Sequence, residues 1–278
     1  MGTAPTAPYV FITGGASGLG LALARQYIAA GAKVAIGDCD ASALARVMRS
    51  DLVGALAFQC DVRVEADLLA AAEALLAAWG RIDLVFNNAG VAVAGSIEDT
   101  PLGDWQWIVD INLMGVVRGC RVFVPLMRRQ GHGRIINISS MAGLLSPPAM
   151  SAYCATKAAV VALSEVMQVE LHGSGVGVCV VCPAFFRTGL ALHSRAVTSD
   201  LRATVEQLVS DLPVSADEIA QRVRSGVARR QFLILTHRAE GLIWVLKRVL
   251  PQAWFSRLMI ANMARIMAHR TARRRRLP

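Results

Sequence analysis

Tyr153 and Lys157 stand four positions apart in the run Tyr-Cys-Ala-Thr-Lys-Ala-Ala-Val. The run has helix-forming character, and residues at i and i+4 share a helix face, so the phenol and the ammonium are expected to point the same way. A cation beside a phenol stabilises the phenolate and lowers its pKa, which makes a tyrosine usable as an acid or base near neutral pH. Only three of the 29 basic residues are lysines, so a lysine here is not background composition. Tyr-x-x-x-Lys alone is weak, because helices often carry such pairs on a solvated face. Its weight comes from the rest of the chain.

A second chemistry-bearing pattern lies at the N-terminus. Tyr9-Val-Phe-Ile-Thr-Gly-Gly-Ala-Ser-Gly-Leu-Gly20 reads as a strand, a glycine turn and a helix. Gly14, Gly18 and Gly20 permit a tight turn, close approach of the backbone to a pyrophosphate, and close helix–strand packing. Ser17, Leu19 and the helix N-terminus around them offer N–H groups to phosphates. Asp38 follows the apolar run Lys33-Val-Ala-Ile-Gly, 18 residues after Gly20. A carboxylate there accepts from both adenosine ribose hydroxyls and repels a 2′-phosphate, which favours NAD over NADP. Asp61 and Val62 end a third strand, where a carboxylate suits an adenine amino group. Asn87-Asn88-Ala89-Gly90 ends a fourth, and such a turn is also compatible with a purely structural role.

The elements that must hold these groups alternate in type. Strands are expected at 9–13, 33–37, 55–59, 83–86, 134–138, 177–181 and 232–235. Helices are expected at about 19–30, 41–49, 64–79, 103–130, 151–173 and 216–229. This alternation predicts one α/β domain over 1–237, a doubly wound parallel sheet of about seven strands with helices on both faces. The segment 187–213 breaks the pattern after the sixth strand, where ligands of such sheets bind, and fits either a substrate-covering lid or a surface helix pair. A basic extension, 238–278, follows.

At 278 residues, 54% of them hydrophobic and few aromatic, the chain suits a sheet buried on both faces. Every apolar run is broken well before the ~18 residues a membrane-spanning helix needs. The first residues lack a basic signal-peptide start, so a cytoplasmic protein is expected. The six cysteines are scattered, and Cys179 and Cys182 fall on opposite faces of a strand. Core thiols, and no metal site, are the expectation.

Taken together, Thr13-Gly-x-x-x-Gly-x-Gly20, Asp61-Val62, Asn87-Asn-Ala-Gly90, Asn112, Ile138-Ser-Ser140, Tyr153-x-x-x-Lys157 and Pro183…Thr188 resemble the short-chain dehydrogenase/reductase family in order and spacing. The resemblance covers about residues 9–235. It implies a Rossmann fold and hydride transfer between a nicotinamide and an alcohol or carbonyl carbon. It implies Tyr153 as acid/base, Lys157 lowering its pKa and bonding the nicotinamide ribose, and Ser140, thirteen positions before the tyrosine, holding the substrate oxygen. It gives Asn112 a water linking the lysine to solvent, and it brings Pro183, Phe186 and Thr188 to the nicotinamide carboxamide. Asn88, Ala89 and Gly90 join the cofactor contacts, and a homodimer or homotetramer built on the helices at 103–130 and 151–173 is implied. Ala184 departs from the glycine that usually follows the proline, a substitution that requires negative φ.

Pocket candidates at 91–94, 144–150, 185–186 and 190–192 are nearly all apolar, with Arg187 and Arg195 the few anion-binding groups. A hydrophobic secondary alcohol or ketone is therefore expected as substrate: lipid-like, steroid-like or alicyclic. A carrier-bound 3-ketoacyl reductase and a non-catalytic dinucleotide-binding scaffold are the alternatives. From Gln221 onward there are 14 Lys or Arg and one acid, and the preceding residues sum to −4. Two amphipathic helices, 240–250 and 252–269, are expected there, split by Pro251. They suit packing on the protein itself or on a second subunit, or an anionic membrane surface. Nucleic acid is disfavoured, since no binding fold accompanies the arginines.

Overall fold

The computed structural model describes residues 7–187, 194–196 and 212–260. Its contacts divide the chain into two units, Met1–Thr236 and His237–Pro278.

The first unit alternates as the sequence predicts. Its elements are β1 (Tyr9–Thr13), α1 (Gly18–Ala29), β2 (Lys33–Asp38), α2 (Ala41–Ser50), β3 (Leu56–Gln59), α3 (Glu65–Trp79) and β4 (Leu84–Asn87). There follow β5 (Val93–Ala94), α4 (Leu102–Val109), α5 (Gly115–Gln130), β6 (Gly133–Ile138), α6 (Met141–Leu145) and α7 (Ser151–Glu170). The unit closes with β7 (Val176–Cys182), β8 (Arg195–Ala196), α8 (Ala216–Ala228) and β9 (Leu233–Leu235). Seven strands form one parallel sheet in the order β3-β2-β1-β4-β6-β7-β9. Val10 pairs with Val34 on one side and Leu84 on the other, so the strand order reverses between β1 and β4. The crevice outside the carboxyl ends of those two strands is where such sheets bind ligands.

Strand alternation explains the two core layers. Val10 and Ile12 face a layer containing Leu23, Val47 and Ile219, from α1, α2 and α8. Phe11, Val85 and Ile135 face the opposite layer, with Leu68, Leu75, Phe123 and Val160 from α3, α5 and α7. Because both faces are covered, the strands read as continuous apolar runs. Helix ends follow local chemistry: Asp40 accepts from Ala43 N at 2.9 Å, and Ser215 with Glu218 forms a reciprocal capping box.

Three features differ from expectation. The single helix expected at 103–130 is α4 and α5 joined by a π turn, Asp110–Met114, with fully buried Asn112 inside it. The wider turn accompanies a side chain that leaves the helix to bond the loop after β4. The short helix α6 was not anticipated, its five residues being too few for a periodic signal. Nor was the two-stranded parallel pair of β5 with β8, which ties residues 195–196 of the expected lid to 93–94. Of the segment 187–213, the described residues are 187, 194–196 and 212–213. Thr188 and the candidates at 190–192 lie outside the described residues.

The second unit carries α9 (Arg238–Val249), then Pro251 and a further helix over 252–260. The rest of the helix expected to reach 269 is outside the described residues. Among the described residues no helix is long and apolar enough to cross a membrane.

Candidate active site

The loops after β1, β2, β3, β4, β6 and β7 enclose a cleft of about 710 Å³ at the carboxyl edge of the sheet. Gly14, Ser17, Gly18, Leu19, Asp38, Asp61, Val62, Asn88, Ala89, Gly90, Ser140, Tyr153, Lys157, Pro183 and Phe186 all line it. Residues far apart in the sequence thus meet on one surface.

The glycine turn is shaped by backbone contact. A Cβ on Gly20 would lie 2.1 Å from the Gly14 carbonyl oxygen, and Gly14 itself has φ +64°. Asn88 binds this turn to the loop after β4, its Nδ2 donating to the carbonyls of Thr13 at 2.8 Å and Gly14 at 3.1 Å. The Thr13 hydroxyl completes the tie by accepting from the N–H groups of Asn88 and Ala89. Gly90 leaves equally little room, a Cβ there being 3.2 Å from Asn112 Oδ1 and 3.4 Å from Lys157 Nζ. Both loops therefore leave a cradle of bare backbone beside the helix N-terminus of α1. That shape and donor set fit a dinucleotide's phosphates and inner ribose.

At the other end, Asp38 is held by two backbone donors, Ala16 N at 3.0 Å and Asp40 N at 3.1 Å. Its carboxylate is fixed in direction before any ligand arrives. Asp61 is gripped by Arg63, whose Nε lies 3.0 Å from each carboxylate oxygen, and this guanidinium holds Asp61 below the usual carboxylate range. Arg63 and Arg46, neither anticipated, also line this end.

At the catalytic end, Tyr153 and Lys157 are both buried on α7. Lys157 Nζ donates to the Ile138 carbonyl at 2.9 Å and lies 5.8 Å from the centre of the Tyr153 ring. Ser140 caps α6 by accepting from Ala142 N at 3.1 Å, and it donates toward the Pro183 carbonyl at 3.3 Å. Its neighbour Ser139 is buried, its hydroxyl spent on the Lys157 carbonyl at 2.7 Å. Both serines line the cleft, but Ser139 spends its hydroxyl inward, which leaves Ser140 as the one beside the Tyr153 phenol.

The electrostatics differ in sign from the expectation for Tyr153. Burial pushes its phenol up to about 12, the Ser140 hydrogen bond opposing that shift. Burial also pulls Lys157 down to about 8. Both shifts have burial as their largest cause, because a charged form of either group loses its hydration. Asn112 is fastened to the loop after β4. Its Oδ1 accepts from Val91 N at 2.8 Å, and its Nδ2 donates to the Val91 carbonyl at 2.9 Å and toward Thr156 Oγ1 at 3.5 Å.

Beneath α7 runs a buried polar ladder that apolar periodicity did not reveal. Asn87 Nδ2 donates to Asn137 Oδ1 at 2.9 Å, Asn137 Nδ2 to Ser164 Oγ at 3.0 Å, and Ser164 to the Val160 carbonyl at 2.7 Å. A Cβ on Gly119 would stand 2.1 Å from Asn87 Oδ1, so α5 comes close over the same spot.

Around the reactive groups the wall is apolar: Val91, Ala92, Trp107, Ile111, Met150, Phe185 and Phe186. Val93 and Ala94 are instead buried in the β5–β8 pair, and Arg187 makes a bridge with Ser215. Arg195 turns away to stack 3.9 Å above the Trp107 ring and to bond Asp104 at 2.6 Å. Trp107 and Ile111 were missed, although their i, i+4 spacing just before Asn112 places them on one helix face. Positive φ among described non-glycine residues falls at Ser146, Ala149 and Arg230, so Ala184 sits in ordinary backbone. Among the described residues no group of three His, Cys, Asp or Glu side chains is placed to hold a metal ion.

Comparison with known proteins matches residues 8–198 to the family described as short chain dehydrogenase. A 2-(R)-hydroxypropyl-CoM dehydrogenase of Xanthobacter autotrophicus is 36% identical, over 78% of this chain and 88% of its own. A CLA biosynthesis dehydrogenase/reductase of Lactiplantibacillus plantarum is 34% identical, over 82% and 87% respectively. A crystal structure from Burkholderia phymatum, described as a short chain dehydrogenase/reductase in complex with NAD, superimposes with a TM-score of 0.81. It is 34% identical and covers 88% of this chain and 95% of its own.

Proposed function

This chain belongs to the short chain dehydrogenase family, and from that premise we propose that it interconverts a hydrophobic secondary alcohol and its ketone with NAD as hydride carrier. Family membership makes it an oxidoreductase acting on CH–OH groups with a nicotinamide dinucleotide. The choice of NAD rests on Asp38, whose carboxylate is pinned by Ala16 N and Asp40 N where a 2′-phosphate would meet its charge. The relatives' names span different substrates, so the substrate class rests on the apolar wall that includes Trp107, Ile111 and Phe186.

The bound dinucleotide supplies the hydride acceptor or donor at its nicotinamide ring. Ser140 holds the substrate oxygen through its hydroxyl, and Tyr153 moves one proton at that same oxygen. With its phenol held at about 12, Tyr153 is protonated at neutral pH, which suits donation to a ketone. Lys157 keeps a cation at the inner end of the site and, by its place beside Gly90, reaches the ribose next to the nicotinamide. Asn112 positions the Val91 backbone and hence the loop beside Gly90. Asp61 with Val62 and Arg63 borders the adenine, and Pro183 and Phe186 the carboxamide. The six cysteines, none of them in a disulfide, suit a reducing compartment such as the cytoplasm. Subunits associate as a homodimer or homotetramer through α4–α5 and α7.

The observation that carries this reading is the meeting of Ser140, Tyr153 and Lys157 in one cleft with the glycine cradle. A panel of alicyclic, steroid and long-chain ketones with NADH tests it, alongside Tyr153→Phe. Loss of a positioned proton donor costs on the order of 10²–10⁴-fold in turnover. Wild-type rates in that variant, or turnover confined to small polyols and acids, would overturn the reading.

A further inference from the structure

We propose that residues 238–260, the described helices of the second unit, form a docking surface for an anionic lipid bilayer and lie flat on it. The described part of this unit exposes an unusual amount of apolar surface. On α9, Leu242, Val245, Leu246 and Val249 are 71%, 50%, 43% and 72% exposed, at the i, i+3, i+4, i+7 spacing of one helix face. Lys247 and Arg248 project from the other half of that helix, and Arg248 lies 5.1 Å from the Trp244 ring centre. Beyond Pro251, Trp254 and Leu258, at i and i+4 of the helix over 252–260, are 66% and 56% exposed.

Charge decides what such a face meets. Residues 237–278 carry ten Lys or Arg and a single acid, Glu240, for a net charge of +9. Residues 1–236 carry nineteen basic and nineteen acidic side chains, for a net charge of zero. All of the chain's net charge therefore belongs to the last 42 residues. A second copy of the chain is a poor occupant, since two such units repel and the remainder offers no opposing net charge. Nucleic acid would satisfy the cations but leave the apolar rows in water. An anionic bilayer satisfies both, apolar side chains entering the acyl boundary while the cations meet the headgroups. A helix of 12 residues is about 18 Å long, short of the roughly 30 Å hydrocarbon core, so α9 lies on the bilayer and does not cross it.

The test uses the full-length protein and sedimentation with sucrose-loaded vesicles of phosphatidylcholine, with or without phosphatidylglycerol. At low salt the protein is expected to bind the phosphatidylglycerol vesicles at least tenfold more tightly than the neutral ones, with binding weakened by salt. The doubly substituted Leu242→Glu, Leu246→Glu protein should lose at least tenfold of that binding while turning over substrate in solution as before. Protein left in the supernatant with anionic vesicles, equal binding to both compositions, or binding indifferent to the double substitution each overturn the proposal. So does a fall in subunit number in the double variant, which would make the face a subunit contact, or complete release of protein from vesicles by short duplex DNA. The vesicle, subunit-number and DNA readouts are independent of the identity of the substrate.

Discussion

Asn112 grips both backbone polar groups of one residue, accepting from Val91 N at 2.8 Å and donating to the Val91 carbonyl at 2.9 Å. The π turn of the long helix is thereby fastened to the loop that follows β4. Replacing Asn112 by Ala leaves the half-buried N–H and carbonyl of Val91 without these partners. At about 1–3 kcal/mol for each unsatisfied group, the variant is expected to lose about 2–6 kcal/mol of stability, read by urea unfolding. A loss below about 1 kcal/mol would mean that the tie carries no such role.

Asp38 offers a separable test of cofactor choice. Asp38→Asn keeps an acceptor for Ala16 N but removes the charge that repels a 2′-phosphate. The ratio of kcat/KM for NADP to that for NAD should rise at least tenfold, equivalent to about 1.4 kcal/mol. An unchanged ratio would show that another group selects the cofactor.

Lys157 makes a pH-dependent prediction whose sign follows from burial. Its folded pKa is depressed to about 8 from 10.5, so its stability contribution is present above 10.5 and lost as pH falls through 8. The buried thiols Cys60, Cys120, Cys179 and Cys182 are shifted the opposite way, to about 12, and work against this trend above pH 9. Comparison with Lys157→Met cancels them. The stability advantage of the methionine variant should be largest near neutral pH and shrink by about 3 kcal/mol toward pH 10.5. A pH-independent difference in urea midpoints would remove the desolvated cation from the account.

Arg195 joins the residues 194–196 to the pocket wall through its stack on Trp107 and its bond to Asp104. An exposed cation–π contact and an exposed ion pair are each worth about 0.5–1 kcal/mol. Arg195→Ala should therefore raise KM for an apolar ketone by roughly three- to tenfold and leave kcat within about twofold. A drop in kcat with unchanged KM would place Arg195 in the chemical step.

The sheet was legible from residues 9–235 because strands buried on both faces read as unbroken apolar runs between Ala-rich helices. The glycine cradle and the Tyr153–Lys157 pair were legible for a similar reason, since their function fixes local spacing. What escaped were features made by distant partners. The π turn depends on Asn112 finding Val91, and the β5–β8 pair has only two residues per strand. The place of Trp107 in the cleft depends on how α4 docks. The burial that raises the Tyr153 phenol is also non-local, since the i, i+4 spacing shows the neighbour but not the loss of water.

The ladder from Asn87 through Asn137 to Ser164 has a consequence for the uniqueness of the folded state. Apolar packing alone tolerates a helix slipping by a turn along a sheet of Val and Ile, because one methyl group serves nearly as well as the next. Two amides and a hydroxyl do not tolerate it, for any slipped arrangement strands them without partners in a dry interior. The interior thus recognises one alignment of α7 and rejects its near-copies, and the side chains at the other end of that helix inherit their position from this choice.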